Sequence, residues 1–148
     1  MYRQINRDLY GVTSLIFILT AILLADLDLF ENKSVWGIVY ALVILTSSFL
    51  IIYVFCAKCP CKNECRHIIP GRLARAFKSK TSGPYSKIEN AIVVILLLLL
   101  IGFPQIWLWN STDLFFAFWI LIIIGLIQIR TVVCKGCKNS FCPINTSF

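Results

Sequence analysis

The chain has 148 residues, of which 59% are hydrophobic and 14% charged, with a mean hydropathy of +0.83. A water-soluble domain of this length lacks the interior to hide so much apolar surface, so a soluble enzyme or soluble binding module is excluded. The formal net charge of +7 sits beside long apolar runs, which points to membrane topology and anionic lipid, not to nucleic acid.

Apolar runs of about 18 residues or more read as membrane spans, because roughly 20 helical residues cross the hydrocarbon. The first follows a short polar tail, Met1 to Asp8, and runs from about Leu9 to Phe30. Its basic start (Arg3, Arg7) also suits a secretory signal, but the apolar middle is long for one and no small-x-small site precedes Asp26-Leu27-Asp28, so a retained span is expected. Asp26 and Asp28 belong in the outer headgroup region on this reading; deeper in a bundle they would mark a proton or cation site. The second run, Val35 to Cys56, carries Thr46, Ser47 and Ser48, small hydroxyl residues that permit close helix approach or back-bond to their own helix. The third, Ile88 to Trp109, is preceded by the capping-box pattern Ser86-Lys87-Ile88-Glu89 and punctuated by Gly102, Pro104 and Gln105, where a kink is expected. The fourth, Leu114 to Val133, holds Gln128 as a polar group low in the span. Trp36, Trp107 and Trp109 fit an outer aromatic belt, and Trp119 is expected to pack within the span.

The predicted fold is therefore an all-α integral membrane protein: a single domain of four transmembrane helices, with a Cys-rich basic loop at residues 56–87 and a Cys-rich tail at 134–148. Lys58, Lys62, Arg66, Arg72, Arg75, Lys78, Lys80 and Lys87 fill the central loop, whereas the first hairpin has Lys33 alone and the second, Asn110 to Asp113, has no basic residue. The positive-inside rule then places the loop and both termini in the cytoplasm, in a plasma or inner membrane. Within the loop, Pro70-Gly71 is expected to break the chain. Arg72-Leu73-Ala74-Arg75-Ala76-Phe77-Lys78 then reads as a short amphipathic helix on anionic lipid.

All seven cysteines and the one histidine lie directly after the second and fourth spans, as C-A-K-C-P-C-K-N-E-C-R-H from Cys56 and C-K-G-C-K-N-S-F-C from Cys134. The Cys56/Cys59 and Cys134/Cys137 pairs recur at one offset, consistent with a tandem repeat of two spans and a C-x-x-C. Cytoplasmic thiols stay reduced, so clusters this dense point to metal ligation or redox chemistry. C-x-x-C is a natural chelate for a tetrahedral ion. The ligand candidates are Cys56, Cys59, Cys61, Cys65, His67, Cys134, Cys137 and Cys142, two sets of four. The repeat suggests Cys56, Cys59, Cys134 and Cys137 as one set and Cys61, Cys65, His67 and Cys142 as the other. The alternative groups the four loop cysteines and gives His67 to the tail's three. Basic neighbours, Lys58 among them, would stabilise an anionic metal–thiolate centre. The three-cysteine, one-histidine set favours zinc at two sites. Cys59-Pro60 and Cys142-Pro143 suit an iron–sulfur cluster instead.

In span number and C-x-x-C the chain is similar to four-span thiol oxidoreductases that pass electrons to a quinone, which implies an exchange activity at those cysteines. Those enzymes work on the opposite membrane face from the one expected here. With so little mass outside the membrane, the expected role is a structural or accessory subunit that binds metal and contacts other membrane-protein subunits, and not an enzyme. An iron–sulfur electron carrier and a quinone-coupled thiol–disulfide oxidoreductase are the alternatives.

Overall fold

The computed structural model describes residues 2–60, 65, 68–77, 84–135, 137, 139 and 142, and these are helical or irregular, with no strand. Helix α1 is Tyr2–Asn32 and α2 is Ser34–Ile51, the latter widening into a π-helical turn at Ile52–Cys56. A short helix, α3, covers Ile68–Ala76. Helix α4 is Lys87–Gly102, α5 is Gln105–Leu108, and α6 is Thr112–Gln128, ending in a second π-helical turn at Ile129–Val133. Four segments are long and apolar enough to span a bilayer: Asp8–Asn32, Ser34–Cys56, Lys87–Leu108 and Thr112–Val133. They match the runs read from sequence closely, because runs of uninterrupted apolar residues leave little else for the chain to do.

Helix α1 is the centre of the bundle. It packs most extensively on α6 and then on α2, while α2 also packs on α4. Small residues on one face of α1 make this possible: Gly11, Ser14, Ala21 and Ala25 are buried. Opposite them, α6 buries Phe118, Ile122 and Gly125. A Cβ on Gly125 would stand 2.8 Å from Ile18 Cγ1 and 3.2 Å from the Ser14 carbonyl, so glycine sets the closeness of this crossing. Lower in the same interface, the Thr13 hydroxyl meets Gln128 Oε1 at 3.2 Å, which gives the polar residue of the fourth span its partner. The remaining core is Ile22, Leu29, Tyr40 and Leu108. Leu9, Ile16, Leu23, Leu27, Leu45, Leu98 and Ile106 point outward and are exposed. This inside-out distribution is compatible with helices solvated by lipid.

The hairpin between α1 and α2 is the tightest approach. A Cβ on Gly37 would lie 2.7 Å from the Phe30 Cα and 2.9 Å from its backbone nitrogen, atoms that cannot rotate away. Gly37→Ala is expected to destabilise the bundle by about 1–3 kcal/mol, the usual cost of overpacking. Denaturant titration of the protein in micelles, followed by helical circular dichroism, checks this.

The third span breaks where the sequence places the break. Helix α4 opens on the predicted capping box: Glu89 N–H donates to Ser86 Oγ at 3.1 Å and Ser86 N–H to Glu89 Oε2 at 2.8 Å. It ends at Gly102, and Phe103-Pro104 turns into α5. The expected break at Pro70-Gly71 does not occur. Both residues lie inside α3, which starts at Ile68. Proline in a first helical turn sacrifices no hydrogen bond, since that N–H has no partner within the helix anyway.

Candidate functional site

The two C-x-x-C motifs come to the same end of the bundle by the same local construction. Each lies at a π-helical turn, closed by Ala57 N–H to the Ile52 carbonyl (2.8 Å) in one case and Cys134 N–H to the Ile129 carbonyl (2.8 Å) in the other. Each motif then turns on itself, with Cys59 N–H donating to the Cys56 carbonyl at 3.2 Å and Cys137 N–H to the Cys134 carbonyl at 3.1 Å. A π-turn widens the last helical turn and re-aims the chain; such turns concentrate at functional positions. The two π-turns stand one residue differently against their motifs, since Cys56 is the last residue of the first and Cys134 directly follows the second.

The first C-x-x-C turn is clamped from three sides. Lys58, between its two cysteines, reaches α4 and forms an ion pair with Glu89, 2.8 Å from Oε2 and 3.0 Å from Oε1. Glu89 is thus shared between the α4 cap and the cysteine turn. Lys58 was expected to offset thiolate charge, and the structure commits it to a carboxylate instead. On a second side, Tyr85 stacks on Phe55 with ring centroids 4.3 Å apart and an interplanar angle of 10°. Burial, and after it the neighbouring Cys59, raises the Tyr85 phenol above its ordinary pKa, so its hydroxyl stays protonated.

The third side is the C-terminal tail. Asn139 is 1% exposed, and its side-chain amide donates to Cys59 Sγ at 3.4 Å and to the Tyr85 hydroxyl at 3.4 Å. A sulfur acceptor tolerates this longer distance. Cys142 follows on the turn made by its own N–H to the Asn139 carbonyl, 3.4 Å. Asn139 thus brings the tail against the first C-x-x-C turn, at the end of the second span. Cys65 is held against α3: a Cβ on Gly71 would lie 3.0 Å from Cys65 Cβ and 3.6 Å from its Sγ.

Of the sequence-predicted ligands, Cys56, Cys59, Cys65, Cys134, Cys137 and Cys142 are half-buried and in no disulfide; Cys61 and His67 lie outside the described residues. Among the described residues, no three cysteine, histidine, aspartate or glutamate side chains are arranged as a ready-made metal site. Asn139 and Tyr85 escaped the sequence reading. The Lys-Asn pair that follows each cysteine motif was visible, but nothing in it signalled burial of the asparagine.

No protein-family model, curated protein or solved structure matches this chain.

Proposed function

We propose that this chain is a small integral membrane protein that binds zinc through its thiol-rich inner end and serves as an accessory subunit of a larger membrane assembly. Both termini and the cysteine-bearing loop face the cytoplasm, where the thiols stay reduced. The observation that carries the reading is the Asn139 amide 3.4 Å from Cys59 Sγ, which brings the tail, and Cys142 with it, against the loop that bears Cys56, Cys59 and Cys65. Four thiols brought together repel as thiolates, and a divalent cation offsets that repulsion. The Asn139 amide, already 3.4 Å from Cys59 Sγ, supplies an outer-shell hydrogen bond of the kind that orients a metal ligand. Cys134 and Cys137, with Cys61 and His67, supply the donors for a second zinc.

The metal is structural on this reading. It ties the C-terminal tail to the central loop and so fixes the inner ends of the second and fourth spans. Elemental analysis of protein purified without oxygen tests it. Zinc bound in stoichiometric amount, with no visible absorption, is the expected result. Iron with acid-labile sulfide and a brown band would make the chain an electron carrier. A metal-free protein would overturn the reading and leave thiol–disulfide exchange, for which a C-terminal reporter active only in the cytoplasm should then stay silent.

A further inference from the structure

We infer that α3 and the aromatic patch beside it form a docking surface for anionic phospholipid headgroups. The inference rests on the membrane placement proposed above but uses residues other than the thiols. Helix α3 is seated by its smallest residues: Ala74 is 0% exposed and Gly71 is buried, packed toward Cys65 and the π-turn of the second span. The opposite face is open. Ile69 and Leu73 are 51% and 49% exposed, and Arg72 and Arg75 are exposed beside them. The ion pair described at this end of the bundle, Lys58 with Glu89, uses neither arginine, and both guanidinium groups lack an acidic partner among the described residues.

Phe77, directly after α3, connects this face to the membrane-facing side of the second span. Its ring stands edge-on to Tyr53 at 5.4 Å and to Phe49 at 5.9 Å, and those two rings stack on each other at 6.3 Å. Phe49 and Tyr53 are themselves 57% and 40% exposed. The apolar face of α3 therefore continues the lipid-facing surface of a span, with Arg72 and Arg75 exposed on its polar edge. Aliphatic and aromatic groups suit the acyl boundary, and the planar guanidinium fork matches a phosphate diester. A basic loop that merely sits in water would have no reason to keep this apolar strip level with the aromatic groups of the span.

The test is native mass spectrometry of the full chain in detergent, titrated with phosphatidylglycerol and separately with phosphatidylcholine of the same acyl chains. The wild type is expected to bind phosphatidylglycerol more tightly, by roughly fivefold for each arginine. Arg72→Gln with Arg75→Gln should erase the difference, and the double lysine variant should keep most of it. Equal binding of the two lipids by the wild type, or an unchanged preference in the glutamine variant, would overturn the inference and leave the patch to a protein partner. Flotation of the wild type with liposomes under alkaline wash separates the two readings: loss there would sink the membrane placement itself.

Discussion

Cys142→Ser should weaken zinc binding by more than about 100-fold, beyond the loss of roughly 10–100-fold that removing an outer-shell partner produces. The argument starts from position. Cys142 belongs to the tail, and in the proposed site it joins Cys56, Cys59 and Cys65 of the loop, with its N–H on the carbonyl of Asn139. A four-thiolate site deprived of one ligand must recruit water or a poorer donor, and zinc prefers a closed tetrahedral set in structural sites. Serine matches cysteine in size, so the bundle should keep its helicity. Cobalt-substituted protein gives the most direct readout, because each lost thiolate weakens the sulfur-to-metal charge-transfer band. Cys59→Ser and Cys65→Ser should produce the same change. If Cys134→Ser instead removed the band coupled to Cys56 while Cys142→Ser left it intact, the grouping read from the repeat would be right and the one proposed above wrong. Asn139→Leu should fall between these results and the wild type. It removes the hydrogen bond to Cys59 Sγ and to the Tyr85 hydroxyl but no ligand.

Much of the architecture was legible in the sequence for a simple reason: in lipid, backbone groups must be satisfied within each helix, so apolar length alone assigns a span. The capping box at Ser86 and the break near Pro104 were equally local and equally readable. The contents of the site were less so. The place of the tail depends on Asn139 inserting beside Tyr85 and Cys59, a contact between distant segments without hydrophobic periodicity. The pairing of Lys58 with Glu89 was hidden for a related reason. Glu89 read as a helix cap and Lys58 as part of a basic loop, and each role was complete without the other. Pro70-Gly71 misled because proline marks a break in a helix interior but is neutral in a first turn. Gly71 is needed there for contact with Cys65, and this too is a tertiary cause.

Tyr40→Phe is the second substitution with a large expected effect, a destabilisation of about 1–2 kcal/mol, at the upper end for hydrogen bonds between membrane helices. Pro104 has no N–H, so the Leu100 carbonyl one turn earlier loses its helical partner. The Tyr40 hydroxyl, on α2, donates to that carbonyl at 2.7 Å, and the tyrosine is wholly buried. Its ring stacks on Phe103 with centroids 5.4 Å apart and planes 4° from parallel. The next carbonyl, of Ile101, is met by the Gln105 side-chain amide at 2.9 Å, and Gln105 in turn accepts from Trp119 Nε1 at 3.1 Å. The break in the third span is thus repaired by side chains of the second, the third and, through Trp119, the fourth. Phenylalanine at position 40 would keep the stacking and abandon the carbonyl in a dry interior, where an unmet acceptor is costly. A double-mutant cycle isolates the cause. Pro104→Ala restores an N–H one turn below Leu100, so Tyr40→Phe should cost less in that background than in the wild type. An equal cost in both would mean that the hydroxyl acts independently of the carbonyl freed by Pro104, and no cost in either would mean that Tyr40 acts through ring packing alone.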